Sequence, residues 1–195
     1  MISGTAVPTA RERLLAAADR LFYEDGVNTV GIDRVIDEAG VAKATLYSAF
    51  GSKEGLIVAY LRQRLERRQD RTRAALARVD APRERILAVF DVLDSFIREP
   101  TFNGCAFMNA SAEAHPGSAV LEAADEARTW TWALFTDLAR DLGVADPDGL
   151  AGQLVMLYDG ALVSSRLDRN LDAAMNAKAT AATLVDAAMP RRRRR

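Results

Sequence analysis

The sequence predicts an all-α protein, and three observations support this prediction. Apolar residues recur at helical spacing in most of the chain, for example at Ile32, Val35, Ile36 and Ala39. No window alternates between apolar and polar residues for long enough to indicate a strand. The composition is rich in alanine and arginine and poor in strand formers such as threonine, tyrosine and isoleucine.

Capping residues and glycines divide the first part of the chain into short helices. Thr9 and Glu12 have the spacing of a capping box, so a first helix is expected to begin after Thr9. It is expected to end at Gly26, because glycine tolerates the left-handed conformation found at helix C-termini. Two further short helices are predicted over about 32–39 and 43–50, and a glycine follows each of them.

The rest of the chain is expected to form longer helices. The fourth helix, which Ser52 is placed to cap, is predicted over about 53–79. Its middle is nearly all charged, so we interpret it as a bridge between two domains. Five more helices are predicted, over about 82–97, 103–114, 119–142, 150–167 and 171–189.

Composition limits the functions that need to be considered. The chain has 195 residues, a net charge of −1, one cysteine, Cys105, and one histidine, His115. An intrachain disulfide and a multi-cysteine zinc site are therefore excluded, and no metal or cofactor is expected. The longest apolar stretch, 154–163, is too short to span a bilayer, and residues 1–13 lack the apolar core of a signal peptide. We expect a soluble, cytoplasmic protein without a membrane partner.

Two short helices joined by a glycine turn, early in a chain, are typical of a helix-turn-helix. The second helix of this motif enters the major groove of DNA, which is about 12 Å wide. The segment Thr29–Lys53 resembles the DNA-binding signature of the tetracycline-repressor (TetR) family, and the resemblance covers about Thr9–Leu56. The matching residues are Ala39, Gly40, Val41, Thr45, Leu46, Tyr47, Phe50, Ser52, Lys53 and Leu56.

This resemblance implies a set of DNA contacts in and around the third helix. The Tyr47 hydroxyl and the Lys53 ammonium resemble the phosphate contacts of the family. The chain departs from the family pattern at Gly31 and Ala42, where a hydroxyl residue usually caps the helix. Residues 1–54 also carry slightly more acids than bases, which disfavours DNA binding unless the acids face away. The predicted DNA-binding residues are Gly31, Lys43, Ala44, Thr45, Tyr47, Ser48 and Lys53.

The resemblance also implies nine helices, a DNA-binding head over 1–52 and a ligand-binding and dimerisation domain over 53–190. The five terminal arginines form a basic tail over 191–195. The aromatic residues of the second domain form its core or, as the resemblance implies, line a cavity for a small apolar or amphipathic ligand. Candidate ligand contacts are Phe90, Phe102, Asn103, Phe107, Asn109, Glu113, Trp130, Tyr158 and Asp159. Apolar stripes on the last two helices predict a dimer interface that contains Leu150, Leu154, Leu157, Ala161, Leu171, Met175, Ala182 and Val185.

Four features remain open to two interpretations. The basic run Arg62–Arg73 is a solvated helix face or, at Arg62, a contact to flanking phosphates. The segment Arg191–Arg195 is a disordered tail or attracts DNA non-specifically. Cys105 is a small buried apolar residue or a redox-sensing thiol. His115 is a turn residue or a ligand contact.

The sequence therefore predicts a dimeric transcriptional regulator that binds a palindromic operator. The resemblance implies release of the DNA when a small inducer shifts the fourth helix, and it favours repression over activation. An enzyme is the first rival, but the chain has no glycine-rich phosphate loop, no nucleophile elbow and no histidines at metal-ligand spacing. A helical scaffold with a head that no longer binds DNA is the second rival.

Overall fold

The computed structural model of the protein describes residues 7–189, and these form nine α-helices and no strand. The all-α prediction is confirmed. The helices are α1 (Ala10–Asp25), α2 (Ile32–Ala39), α3 (Lys43–Phe50), α4 (Lys53–Leu76), α5 (Pro82–Ile97), α6 (Ala106–Glu113), α7 (Ala119–Leu142), α8 (Pro147–Leu167) and α9 (Ala173–Ala188). None of these helices is both long enough and apolar enough to cross a bilayer.

The chain folds into two compact units. The first unit contains the chain through Arg64 together with Ala106–Ala124, and the second contains Leu65–Cys105 together with the chain from Asp125 onward. Helices α4 and α7 therefore each contribute residues to both units. The predicted boundary at residue 52 does not coincide with a boundary between these units, and the functional division it describes stays a prediction.

The predicted capping box at the start of α1 is present. The Thr9 hydroxyl accepts a hydrogen bond from the Glu12 amide at 3.2 Å, and the Glu12 carboxylate accepts one from the Thr9 amide at 2.7 Å. Helix α1 packs against α2 and α3 through fully buried side chains, including Leu14 and Leu46. The helix-turn-helix is thus held on α1 by an apolar core, which fixes the direction of the exposed face of α3.

Helix α3 begins without a side-chain cap. Its N-cap residue, Ala42, has the extended backbone conformation of an N-cap but no side-chain hydrogen bond. We therefore expect Ala42→Ser to raise the free energy of unfolding by about 1 kcal/mol, because a serine hydroxyl would accept a hydrogen bond from a free amide of the first turn. Urea unfolding measures this change. The control is Ala44→Ser, which adds the same hydroxyl inside the first turn; an equal gain from both variants would contradict the capping explanation.

Three aromatic rings form the centre of the second unit. The ring centroid of Phe90 lies 5.8 Å from that of Phe135 and 6.4 Å from that of Tyr158, and the last two are 6.0 Å apart. Within the same unit, helices α5, α8 and α9 pack against one another. These aromatic residues therefore belong to the core, which is the first of the two alternatives that the sequence left open for them.

Three helix ends differ from the prediction by three residues, each for a local reason. Helix α8 begins at Pro147 and not near Leu150, because the Asp146 side chain caps it by accepting a hydrogen bond from the Gly149 amide at 2.9 Å. Helix α4 stops at Leu76 and not near Val79, because the chain tightens into hydrogen bonds three residues apart, such as the 3.2 Å bond from the Val79 amide to the Leu76 carbonyl. Helix α6 starts at Ala106 and not near Asn103. Gly104 precedes it with a φ of +85°, and a Cβ there would lie 3.2 Å from Arg166.

Candidate nucleic-acid interface

Helix α3 presents one exposed face. This face carries four exposed residues, Lys43, Ala44, Tyr47 and Ser48. Leu46, on the opposite side of the helix, is fully buried. Of the other predicted DNA-binding residues, Gly31 is exposed, and Thr45 and Lys53 are half-buried. This spacing of buried and exposed residues is that of a helix that packs on one side and leaves the other side accessible.

The Lys43 ammonium is engaged by a neighbouring carboxylate. Its Nζ lies 3.0 Å from Oδ1 of Asp33, in the first turn of α2. The hydrogen bond and the charge of Asp33 raise the pKa of Lys43, so the side chain stays protonated. Both side chains are exposed, so the pair is weak and salt-sensitive, and a phosphate would compete with Asp33 for the lysine.

Lys53 lies in the first turn of α4, beside the serine that caps this helix. The Ser52 hydroxyl accepts a hydrogen bond from the Gly55 amide at 3.0 Å, which confirms the predicted cap. Partial burial lowers the pKa of Lys53, while the nearby negative charge of Glu113 opposes this shift. The amide-rich N-terminus of α4 adds a partial positive charge at the same place.

Acidic residues of the head are paired with arginines. Asp19 Oδ1 lies 2.6 Å from Arg64 Nε. Arg20 lies 3.2 Å from Glu24 and 2.5 Å from Glu38. The excess of acidic residues in the head disfavours DNA binding, and these ion pairs offset part of that negative charge.

Arg11 is a basic residue near α3 that the sequence analysis did not single out. It is exposed in the first turn of α1, and its guanidinium carbon lies 5.0 Å from the centroid of the Phe50 ring. This cation–π contact places the arginine beside the C-terminal end of α3. The contact depends on the packing of α1 against α3, so no local sequence signal identifies it.

Glu113, a predicted ligand contact, is hydrogen-bonded to the turn between α1 and α2. Its carboxylate accepts a bond from the Asn28 amide at 2.7 Å, and its carbonyl accepts one from the Asn28 side chain at 2.8 Å. Gly26 in the same turn has a φ of +91°, and a Cβ there would lie 2.7 Å from the Glu113 carboxylate. The structure thus gives Glu113 a structural role inside the first unit.

The predicted ligand contacts are divided between the two units. Phe107, Asn109 and Glu113 belong to the first unit; Phe90, Phe102, Asn103, Trp130, Tyr158 and Asp159 belong to the second. Asp159 is ion-paired with Arg128, and Phe102 packs edge-on against Phe96 at 5.3 Å. Burial raises the pKa of Tyr158, so its hydroxyl stays neutral.

Four of the predicted interface residues are buried within the chain itself. Leu150, Leu154, Ala161 and Val185 are at most 4% exposed, so they belong to the core of the second unit and not to its surface. Leu157 and Ala182 are half-buried, and Leu171 and Met175 are exposed. The exposed face of α8 consists of other residues, among them Met156, Gly160, Val163 and Leu167.

The remaining singled-out residues have local surroundings of different kinds. Cys105 is buried, with its Sγ 3.7 Å from Arg68 Nη2. His115 lies in the turn between α6 and α7, where its carbonyl accepts a hydrogen bond from the Ser118 amide at 3.1 Å. Arg62 is exposed on α4, and the segment 191–195 lies outside the described residues. Within residues 7–189, no group of three histidine, cysteine or acidic residues is arranged to hold a metal ion.

Comparison with known proteins identifies the same segment and fold. Residues 14–60 match the family described as bacterial regulatory proteins, tetR family. A solved TetR-family transcriptional regulator from Streptomyces coelicolor is 36% identical and superposes with a TM-score of 0.86, over 93% of this chain and 96% of that one. The likeness therefore extends over both units.

Two relatives have opposite roles in transcription. The transcriptional activator FasR of Mycolicibacterium smegmatis is 31% identical over 135 residues, which are 69% of this chain and 61% of FasR. The transcriptional repressor NemR of Escherichia coli is 32% identical over 105 residues, 53% of each chain. The matched part of this chain thus spans about three-fifths of FasR and half of NemR. The proteins it resembles are transcriptional regulators and not enzymes, as the sequence predicts.

Proposed function

Because this chain belongs to the TetR family and is a DNA-binding transcriptional regulator, we propose that it binds a palindromic operator as a homodimer. The observation that carries this proposal is the exposed face of α3 around Tyr47, held in place by the buried Leu46. One such helix reads only a few base pairs, so two copies related by a twofold axis are needed for specificity. In this proposal the bound dimer represses transcription until a small molecule releases it.

Selection of bound sequences from a random duplex pool, at a stated salt concentration, tests operator binding. The expected result is an enriched palindrome. The absence of enrichment with refolded, ligand-stripped protein would contradict the proposal. A reporter gene behind the selected operator then tests the direction of control: expression falls for a repressor such as NemR and rises for an activator such as FasR.

The exposed apolar face of α8 and α9 supports the homodimer. On α8, Met156 is 70% and Val163 44% exposed; Leu167, at the end of this helix, is 75% exposed. Met175 on α9 is also exposed, and Gly160 on α8 has no side chain to hold a partner helix away. Clustered apolar side chains at a surface are typical of protein–protein interfaces, and a twofold dimer buries the same face of each subunit.

Val163→Asp is expected to shift the dimer to monomers. The substitution places a charge at the centre of this face, and an unpaired charge is costly to bury. Light scattering after size-exclusion chromatography measures the mass, and a dissociation constant raised by at least about tenfold corresponds to about 1.4 kcal/mol. Val7→Asp is the matched control, because it adds the same charge at an exposed valine outside α8 and α9. A dimer of unchanged stability in Val163→Asp would exclude this interface.

Release by a ligand requires that operator and ligand affinities oppose each other. Helix α4 contributes to both units, so a ligand that repositions its second half acts on the same helix that carries Lys53. The factor by which the ligand lowers the affinity for the operator must then equal the factor by which the operator lowers the affinity for the ligand. A ligand that bound tightly to the second unit and left operator affinity unchanged would contradict this step.

A further inference from the structure

We propose that a groove in the second unit binds the carboxylate of a small organic acid with an apolar body. The groove has a volume of about 380 Å³, which lies at the lower end of the range found for small-molecule sites. Helices α4, α5 and α7 line it, and all of its lining residues belong to the second unit. The residues that determine its chemistry are Arg73, Leu76, Arg85, Trp130 and Leu134. We refer to it as the α4–α5–α7 groove.

The charges of the groove favour an anion. Arg73 and Arg85 line it, and among the described residues no carboxylate does. Arg73 is paired with Asp70 at 2.7 Å, but both side chains are more than 70% exposed, so this pair is weak and open to exchange with a ligand. A negatively charged group in the groove would lie near two guanidinium groups.

The Arg85 guanidinium has one donor without an acceptor. Its Nη1 donates a hydrogen bond to Asp141 Oδ2 at 3.1 Å. Its Nε–H is buried, and no acceptor among the described residues lies within hydrogen-bonding distance. Buried donors are rarely left without a partner, so this group points to an acceptor supplied by a ligand.

The geometry of the guanidinium selects the kind of acceptor. Asp141 occupies the Nη1 end, which leaves the edge formed by Nε–H and Nη2–H. Two parallel N–H groups on one edge match the two oxygens of a carboxylate. The Arg85 edge therefore offers a bidentate site, and the cation at Arg73 lines the same groove.

The other side chains of the groove favour an apolar body on the same ligand. Trp130 is half-buried and presents an indole, and Leu76 and Leu134 are half-buried leucines. An aromatic or aliphatic monocarboxylate would satisfy Arg85 with its charged end and contact these side chains with its body. This inference names a ligand class for the proposed regulator; its effect on transcription rests on the proposed function, but binding to the groove does not.

Tryptophan fluorescence tests the groove directly. The chain has two tryptophans, so Trp132→Phe makes Trp130 the single reporter. In this background we would titrate benzoate and hexanoate, with benzamide and hexanamide as neutral isosteres and inorganic phosphate as a simple anion. The expected result is saturable quenching by at least one carboxylate and none by its amide.

Substitutions on α5 identify the anion contact. Arg85→Gln is expected to weaken carboxylate binding at least tenfold, and Arg85→Lys, which keeps the charge without the bidentate edge, to weaken it less. The matched control is Arg83→Gln, because Arg83 lies on the same helix but pairs with Asp186 and Glu84. Its binding should equal that of the parent. Circular dichroism checks that each variant is folded, and Arg85→Lys keeps the test valid if Arg85→Gln does not fold.

Any one of four results would overturn the proposal: no saturable binding of either carboxylate, equal binding of the acid and its amide, equal loss of binding in the Arg83 and Arg85 variants, or phosphate binding as tight as that of the carboxylates.

Operator binding is measured separately. Carboxylate binding through Arg85 that leaves operator affinity unchanged would support the groove and contradict ligand release. Operator selection that fails while the fluorescence result stands would contradict the proposed function alone.

Discussion

Tyr47→Ala is expected to weaken operator binding by roughly 100-fold. Tyr47 is 45% exposed in the middle of the free face of α3. In the proposed complex its hydroxyl donates a hydrogen bond to a phosphate. A hydrogen bond to a charged group contributes about 1.5 kcal/mol or more, and a dimer makes it twice, so about 3 kcal/mol is lost in total. Each 1.4 kcal/mol corresponds to about tenfold in affinity. Fluorescence anisotropy with the selected operator, at fixed salt concentration, measures the change.

Tyr47→Phe separates the hydroxyl from the ring. Tyr47→Phe is expected to lose most of the operator affinity that Tyr47→Ala loses, because it removes only the hydroxyl that is the proposed phosphate donor. Both variants should unfold at the temperature of the parent protein, since the substituted side chain is exposed and Leu46 continues to anchor the helix. Operator affinity within twofold of the parent in Tyr47→Ala would rule out a contact at this position.

Phe135→Ala is expected to lower the free energy of unfolding by about 3–5 kcal/mol. Phe135 is fully buried, and its ring packs against Phe90 and Tyr158. The truncation removes apolar contact area and leaves a cavity that the neighbouring rings do not fill. Guanidinium chloride unfolding at a fixed protein concentration measures the change, because the stability of the proposed dimer would depend on concentration.

A graded substitution makes this result interpretable. Phe135→Leu keeps much of the volume, so its loss is expected to be only about 1–1.5 kcal/mol. Near-equal stability of the alanine and leucine variants would mean that the aromatic cluster is not tightly packed. An alanine variant that does not fold would agree with the prediction, and the leucine variant then supplies the measurable value.

The local signals in the sequence predicted the head well. The pairing of Thr9 with Glu12, the cap at Ser52 and the glycines after the short helices act within a few residues, so their consequences are encoded where they occur. The buried position of Leu46 follows from the same helical periodicity. Such features do not depend on the packing of distant segments.

Contacts between distant segments could not be predicted in this way. Nothing near Lys43 in the sequence indicates that Asp33 on the preceding helix binds it, and nothing near Glu113 points to Asn28. The unsatisfied Nε–H of Arg85 is visible only once the helices are packed. An apolar stripe also does not reveal whether its partner lies in the same chain or in another, which is why Leu154 was predicted at the dimer interface although it is a core residue.

The division of the chain into two units constrains how related regulators could be recombined. The backbone passes between the units after Arg64, after Cys105 and after Ala124, so neither unit is a continuous segment. A chimera made with one crossover near residue 52 would combine the Asn28 turn of one parent with the Glu113 of another. A crossover after Arg64 would in addition separate Glu54 from Ala119, whose amide donates a 2.9 Å hydrogen bond to the Glu54 carboxylate. Exchange of DNA specificity between such proteins therefore calls for the transfer of two segments, the chain through Arg64 and Ala106–Ala124, so that the transplanted head keeps its own supporting turn.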